Sequence, residues 1–279
     1  NKLSTDQQVL ILSALVEGNS LRSITRITGV HRTTITNLLI SAGKKAQEIM
    51  DNDFRNIQSN FVEVDEIWAY VGKKQKNLNF TERYYENELG DQYTFVAIDS
   101  ETKLIPCHLT GKRTAENTFE FMSNLRSRVT SRFQLSSDSF APYLNAVSSV
   151  FKNDIDYAQL HKEFHEPFQA EKRYSPAKLK KVNIIPLIGN PDLKHISTSY
   201  IERQNLTMRM GMRRFTRLTN AFSKKLENLK SAISLHFFHY NYIREHKTLK
   251  MTPCMKAGLT RNFVTWERFL GMEEMRKAV

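Results

Sequence analysis

Residues 61–71 have the sequence FVEVDEIWAYV, a run of β-branched and aromatic residues that also holds three carboxylates. Such a run predicts a β-strand, and its apolar character predicts that the strand is buried. A buried strand is a costly place for a charge, so Glu63, Asp65 and Glu66 each require an explanation. Alternation along the strand predicts that Glu63 and Asp65 lie on one face and Glu66 on the other.

The sequence that follows predicts an alternation of strands and helices. Two more strands are predicted at Tyr93–Ile98 and Leu104–Leu109. After them the pattern predicts, in order, helix Ala115–Val129, strand Phe133–Ser136, helix Tyr143–Phe151 and strand Asp156–Leu160. This order predicts a mixed α/β sheet. Residues 161–197 are predicted as a long basic connection with an apolar patch at Val182–Ile188, and the last strong helices as Thr198–Met210 and Phe222–Tyr242.

The first 50 residues predict three short helices, with a tight turn at Gly29 and a third helix that ends at Gly43. This layout is typical of a helix-turn-helix, whose second helix enters the DNA major groove. The residues predicted to face bases and phosphates are His31, Arg32, Thr33, Thr34, Thr36 and Asn37. A plain three-helix packing module remains the alternative. Residues 51–60 are polar and predict a linker, which leaves residues 61–279 for the α/β domain with its C-terminal helices.

Charge and cysteine content narrow the classes of function. The chain has 41 Lys and Arg against 29 Asp and Glu, a formal net charge of +12 that favours a polyanionic partner such as DNA. Its two cysteines, Cys107 and Cys254, form no metal-binding pair, which excludes a disulfide scaffold or a cysteine zinc finger and favours a reducing compartment. The apolar run Val9–Val16 is too short to span a bilayer, so no membrane partner is predicted.

Two further carboxylates stand where catalytic groups are common. Asp138 follows a predicted strand in LSSDSFAPY, and Glu202 lies in the first turns of a predicted helix in STSYIERQN. Together with Asp65 they are three carboxylates from three elements. Carboxylates without Cys or His donors suit Mg²⁺ rather than zinc. Two such ions can activate a water or hydroxyl on one side of a phosphate and stabilise the leaving oxygen on the other.

The sequence motifs around these residues identify a family more specifically than the spacing of the carboxylates does. VEVDEIWAYVGKKQKN, TFVAIDSETKLI, LSSDSFAPY and above all the stretch from Ser197 to Pro253 follow one another in this order. With the N-terminal helices, they give a chain that resembles, over roughly its whole length, the insertion-sequence-one-type family of bacterial DDE transposases. The resemblance implies a ribonuclease-H-like catalytic domain with the triad Asp65, Asp138 and Glu202.

The same resemblance implies the cofactor, the partners and the reaction. Two Mg²⁺ ions, for which Mn²⁺ can substitute, would be held by the triad. The enzyme would bind the terminal inverted repeats of an insertion sequence, cleave the ends and join the 3′-hydroxyls to target DNA. It would act as a homodimer or higher oligomer on double-stranded DNA in the bacterial cytoplasm, at the nucleoid.

Other acidic residues compete for these roles. Asp99 opens a Ser/Glu/Thr turn, where Asp is a usual residue. Glu66 is predicted to face away from Asp65, and a salt bridge to a nearby lysine is favoured over metal binding. Glu63 shares the face of Asp65 and could support it without binding metal.

Basic residues near the triad predict a phosphate-binding surface. If the helix from Thr198 continues through Gly211, Glu202, Arg209 and Arg213 lie on one stripe. The other predicted DNA contacts are Lys73, Lys74 and Arg214. Two rival functions remain: another ribonuclease-H-like nuclease, and a domesticated or non-catalytic DNA-binding regulator.

Overall fold

A six-stranded sheet forms the centre of the molecule. The computed structural model describes residues 3–85, 87–164, 179–216 and 219–276. The strands are β1 (Phe61–Val71), β2 (Gly90–Asp99), β3 (His108–Gly111), β4 (Gln134–Asp138), β5 (Asp156–Phe164) and β6 (Leu179–Ile188). The helices are α1 (Thr5–Val16), α2 (Leu21–Thr28), α3 (Arg32–Asp53), α4 (Phe80–Tyr85), α5 (Ala115–Arg128), α6 (Pro142–Phe151), α7 (Ser199–Gly211), α8 (Leu226–Phe238), α9 (Pro253–Lys256) and α10 (Trp266–Arg276).

The strand order in the sheet is β3-β2-β1-β4-β5-β6. Strands β1, β2 and β3 form an antiparallel meander, and β4 and β5 then run parallel to β1. This is the mixed α/β sheet expected from the sequence, in the strand order of the ribonuclease-H-like arrangement that the resemblance implies. The predicted strand at residues 61–71 is confirmed residue for residue, and the helix predicted from residue 115 is α5, which ends one residue early.

The core is continuous from the sheet into the C-terminal helices. Aromatic side chains of α8 that the sequence marks as apolar, Phe237 and Phe238, are completely buried. Ile201 and Met208 place one face of α7 in the same core. The buried strand β1 therefore has helix α7 packed against it, which brings the elements that carry Asp65 and Glu202 together.

The N-terminal helices are defined by their caps. Ser4 forms a capping box with Gln7 at the start of α1, and Ser20 caps α2. Helix α2 ends at Gly29, whose φ of +71° lies in the left-handed region that glycine tolerates. The turn expected there is confirmed, and it joins α2 directly to α3.

The predicted end of the third helix at Gly43 is wrong. Helix α3 is 22 residues long and continues past Gly43 to Asp53. A Cβ atom at Gly43 would lie 2.3 Å from the backbone oxygen of Ser231 on α8. The glycine is therefore present because two helices approach each other closely, and a residue with a side chain would force them apart.

The segment predicted as a polar linker, residues 51–60, is packed against the α/β domain. Its first three residues complete α3, and Phe54 and Ile57 are buried. The buried guanidinium of Arg128 pairs with Asp51 and donates to backbone oxygens of Met50 and Pro106. The end of α3 is thereby fixed to α5 and to the chain that leads into β3.

The expected basic connection at residues 161–197 contains a sixth strand, β6. It pairs antiparallel with β5 at the edge of the sheet, and its Val182, Ile184 and Ile185 are partly exposed. Residues 165–178 of this connection lie outside the described residues. The strand expected from residue 104 begins later, at His108. The helix expected at Phe222–Tyr242 begins later, at Leu226, and α8 continues directly into a π-helical turn at His239–Ile243. No described helix is long and apolar enough to cross a membrane.

Candidate active site

Strand register brings two of the expected catalytic carboxylates together. Glu63 on β1 lies beside Ser136 on the parallel strand β4. Asp65 and Asp138 are each two residues further along, so they emerge side by side. Oxygens from Asp65, Glu66 and Asp138 all lie within 4.8 Å of one another. These three residues, called here the acidic trio, offer only carboxylate oxygens.

The presence of Glu66 in this group corrects the expectation that it faces away and pairs with a lysine. Its partner is Arg113, whose Nη2 lies 3.2 Å from Glu66 Oε2 and 3.9 Å from Asp138 Oδ2. The Arg113 guanidinium also stacks 3.8 Å from the ring centroid of Phe140. One arginine therefore partly neutralises two of the three carboxylates.

Burial and nearby negative charges raise the pKa values of two members of the trio, Asp65 and Glu66. Desolvation raises the pKa of Asp65 to about 6, and the nearby charges of Asp138 and Glu202 add to the effect. Desolvation and the charge of Asp138 raise the pKa of Glu66 to about 7, against the lowering effect of Tyr143 and Arg113. Carboxylates that repel each other in a partly buried site are poised to bind a cation.

An orphaned oxygen supports the fit to a metal ion. The side chain of Glu66 is only 3% exposed, and its Oε1 makes no well-formed hydrogen bond with any of the described residues. The buried Tyr143 hydroxyl is close enough to Glu66 to lower the pKa of that carboxyl group. The hydroxyl makes no well-formed hydrogen bond with any described residue either. A hard divalent cation takes several oxygen ligands, and this donor set fits one.

Glu202 lies next to the trio but outside its closest grouping. Helix α7 presents it in its first turn, where its Oε1 accepts from the Thr198 hydroxyl at 2.8 Å and from the ammonium of Lys162 on β5. The charge of Glu202 raises the pKa of Asp65, so the two carboxylates interact. The expected triad is thus represented by a close pair, Asp65 and Asp138, and a third carboxylate held by a lysine.

Two residues outside the expected triad fasten α7 to β1. Asn205 donates from Nδ2 to Asp65 Oδ2 at 2.8 Å, and nothing in the sequence singles it out. Glu63 Oε2 accepts from the backbone N–H groups of Tyr200 and Ile201 at 2.9 and 3.0 Å. The alternation of side chains along β1 places Glu63 on the same face as Asp65, and this pattern is the sequence signal that points to Glu63.

The remaining acidic candidate, Asp99, is a turn residue as the sequence favoured. Its Oδ1 accepts from the backbone N–H groups of Glu101 and Thr102, both at 2.8 Å. The side chain is 2% exposed and is occupied by the turn between β2 and the segment that leads to β3.

The candidate base-contacting residues lie at the start of α3. Arg32, Thr33 and Asn37 are exposed, and Thr34 and Thr36 are half-buried. His31 caps the helix by accepting from the backbone N–H of Thr33 at 3.3 Å. This end of α3 is therefore accessible, while its other end is packed against α8.

The candidate phosphate-contacting residues are more scattered. Lys73 and Lys74 are exposed just after β1, where Lys73 pairs with Glu82. Helix α7 ends at Gly211, so Arg213 lies in a separate helical turn and not on the stripe of Glu202; it is exposed, whereas Arg209 is half-buried.

Arg214 points inward. Its Nε donates to Ser223 Oγ at 2.9 Å, and desolvation lowers its pKa to about 10.

No protein-family model matches the chain. No curated protein matches it either. Among solved structures, the synaptic complex of piggyBac transposase with hairpin DNA is 12% identical with a TM-score of 0.38, and covers 98% of this chain and 71% of that one. The Mos1 strand transfer complex is 12% identical with a TM-score of 0.24, and covers 56% of this chain and 58% of that one.

The chain thus spans less than two thirds of the Mos1 chain. These are transposase structures, but identities and TM-scores this low assign no family. What can be said of function rests on this chain's own residues.

Proposed function

We propose that this protein is a DNA transposase that uses two divalent metal ions to cut the ends of an insertion sequence and join them to target DNA. The observation that carries the proposal is the acidic trio, with its orphaned Glu66 oxygen, at neighbouring positions of β1 and β4. The motifs around Asp65, Asp138 and Glu202 and the net charge of +12 support a polyanionic substrate.

The proposed ligands are the triad residues Asp65, Asp138 and Glu202, which would hold the two ions together, and the unpartnered oxygen of Glu66 lies in the same group. Mg²⁺ is the proposed ion, and Mn²⁺ would replace it. When bound, the ions would supply activation of a water or 3′-hydroxyl and stabilisation of the leaving oxygen. The carboxylate of Asp65 is already oriented, because its Oδ1 accepts from the Glu66 backbone N–H and its Oδ2 from Asn205.

Two basic side chains offset the negative charge of the carboxylates. Arg113 pairs with Glu66 and Asp138, and Lys162 pairs with Glu202. Both basic groups border the carboxylates, so each is within reach of a phosphodiester lying across them, where positive charge would offset that of the phosphate oxygens. The same ion pairs also reduce the electrostatic repulsion among the carboxylates.

The proposed DNA-binding surface has two parts. Residues 1–50 would act as a helix-turn-helix on the terminal repeats, joined through residues 51–60 to the catalytic domain at 61–279. Lys73, Lys74, Arg209 and Arg213 would contact the backbone near the cut, and the inward-pointing Arg214 is left out of this surface. Binding both ends of an element would require a homodimer or higher oligomer.

The test is incubation of the purified protein with labelled element ends and a plasmid target, with Mg²⁺, Mn²⁺ or EDTA. We expect end cleavage and joined products with either metal and none with EDTA. Cleavage without joining would identify another ribonuclease-H-like nuclease. Binding without cleavage in either metal would identify a non-catalytic regulator. Asp138→Asn is the control variant, since it removes a ligand and should leave DNA binding intact.

The role of α3 is tested by binding alone. Arg32→Ala with Asn37→Ala should weaken binding to the element ends far more than to random DNA, because each base-edge contact contributes about 1–3 kcal/mol of discrimination. Fluorescence anisotropy on both DNAs measures the difference. Equal losses on both would mean that these residues contact only phosphate.

A further inference from the structure

The start of α7 is capped by a different element of the fold. Its own N-cap residue, Thr198, makes no capping hydrogen bond, and its hydroxyl donates to Glu202 instead. The N–H groups of Tyr200 and Ile201 donate to Glu63 Oε2 on β1. The first N–H groups of a helix need acceptors, and a carboxylate also interacts favourably with the helix dipole. Glu63 provides both.

Glu63 is committed to this contact. It is 2% exposed, and its other oxygen accepts from the Ser100 hydroxyl at 3.4 Å. Desolvation raises its pKa in spite of the hydrogen bonds from Ile201 and Tyr200. A carboxylate buried this completely cannot reach solvent or a substrate, so it acts through the helix it holds.

Glu202 lies between two ties that join α7 to β1. The Glu63 tie is at residues 200 and 201, just before Glu202, and the tie from Asn205 to Asp65 follows three residues later. On the strand, the two anchor points are Glu63 and Asp65, neighbours on one face. Packing of Ile201 and Met208 in the core fixes which face of α7 is buried. The two ties fix its rotation and height against β1.

We propose that Glu63 is a positioning residue: by capping α7 from β1, it sets Glu202 at the distance from Asp65 that metal binding requires. This inference rests on the proposed function for the identity of the ligand, a divalent cation. It assigns a role to a residue outside the triad, and it predicts that Glu63 and Glu202 act as one unit.

The experiment measures Mn²⁺ affinity by electron paramagnetic resonance, without DNA. The variants are Glu63→Met, Glu63→Gln, Glu202→Gln and the double variant Glu63→Met with Glu202→Gln. Methionine keeps the volume and removes the acceptors, whereas the amide oxygen of glutamine still accepts from both N–H groups. We expect Glu63→Met to weaken Mn²⁺ binding about tenfold, the lower range for losing a group that orients a ligand. Glu63→Gln should stay within about threefold of wild type.

The double variant tests whether the two residues act together. If Glu63 acts through Glu202, the double variant binds Mn²⁺ no more weakly than Glu202→Gln alone. Losses that multiply would overturn the inference, as would a Glu63→Met protein with wild-type Mn²⁺ affinity. If Glu63→Met does not fold, Glu63→Asp is tested in its place. Aspartate keeps the charge, but its shorter side chain moves the carboxylate away from the N–H groups of α7. Wild-type Mn²⁺ affinity in Glu63→Asp would also overturn the inference.

Thr252→Val is the matched control. Thr252 is fully buried and caps α9 by accepting from the Met255 N–H at 3.2 Å, so its loss also removes a helix cap. It should lower the thermal unfolding temperature and leave Mn²⁺ affinity unchanged; an equal loss of affinity would mean that the Glu63 effect is general destabilisation.

DNA cleavage, assayed in parallel, separates the two proposals. If the Glu63 variants change Mn²⁺ affinity as expected but the wild-type protein cuts no DNA, the proposed function alone is overturned. One that cuts DNA while Glu63→Met matches wild type in Mn²⁺ affinity overturns the inference alone. No Mn²⁺ binding by wild type overturns both.

Discussion

The sheet and helix α7 hold their carboxylates by different means. Asp65 and Asp138 are adjacent because the backbone ladders of β1 and β4 put them there. Glu202 reaches the same place on a helix whose rotation depends on side-chain bonds, from Glu63 and Asn205. Backbone hydrogen bonds tolerate substitution of side chains, whereas side-chain ties do not. The sheet part of the site is thus the robust part, and the α7 part is the adjustable one.

The largest expected effect contrasts Asp65→Asn with Glu202→Gln. Each should lower DNA cleavage by about 10²–10³, the loss typical of removing one electrostatic stabiliser of the transition state. Gel assays of end cleavage measure this, with DNA affinity as the control. Mn²⁺ titration separates the two: Asp65→Asn should abolish binding, and Glu202→Gln should retain the ion held by the sheet. Loss of all binding in both would show that the helix is as essential as the sheet.

A smaller effect concerns pH and stability. In metal-free protein, Asp65 and Glu66 bind a proton more tightly folded than unfolded, because burial raises their pKa to about 6 and about 7. The stabilisation is complete below about pH 4 and is lost as pH rises through 6 to 7. When the pH is raised from 5 to 8 in EDTA, the free energy of unfolding of wild type should fall by about 2–3 kcal/mol more than that of Glu66→Gln. Urea unfolding measures both values.

The exposed Glu116 of α5 offers a control for this experiment. Its pKa is lowered rather than raised, so Glu116→Gln should keep the wild-type loss between the two pH values. Saturating Mn²⁺ should remove most of the slope, because the cation then offsets the repulsion. An unchanged slope in Glu66→Gln would mean that other groups cause it.

The smallest effect concerns Lys162 of β5, which pairs with Glu202, the carboxylate of the adjustable part. Lys162→Met removes a positive charge beside Glu202 and should strengthen Mn²⁺ binding a few-fold, by about 1 kcal/mol or less. Lys44→Met is the matched control, since Lys44 pairs with Glu227 away from the site. Weaker Mn²⁺ binding in Lys162→Met would show that the lysine orients Glu202 for the metal.

The sequence was most informative where one physical effect dominates. Strand β1 was predicted to the residue because burial on both faces demands a continuous run of β-branched and aromatic side chains. Strand β6 was missed because it lies at the edge of the sheet, with apolar side chains exposed among lysines, and gives no clear alternation. Edge strands carry a weak pattern for this reason.

Two errors have local causes. The sequence predicts a helix end at Gly43 because glycine is a common stop signal, and the close approach of Ser231 explains why a glycine lies within α3. Glu66 was placed on the wrong side because alternation fixes where Cβ points, not where a long side chain ends. Asp65 Oδ1 accepts from the Glu66 N–H, so its carboxylate turns along the strand toward its neighbour. Neither contact is encoded by local spacing.

Helix α3 runs unbroken through Gly43 and is about 33 Å long, with the proposed DNA-reading residues Arg32–Asn37, called here the reading head, at its start and the catalytic sheet near its end. Its far end is locked to α8 and to Arg128, so the head has a fixed phase relative to the acidic trio. Each residue inserted between Asn37 and Gly43 would turn the head by about 100° and advance it by about 1.5 Å. One inserted residue would aim it at the wrong side of the duplex, whereas an insertion of seven, close to two turns, would nearly restore its heading. If α3 reads the DNA as proposed, the length of this helix, counted in turns, would set where along the DNA the cut falls.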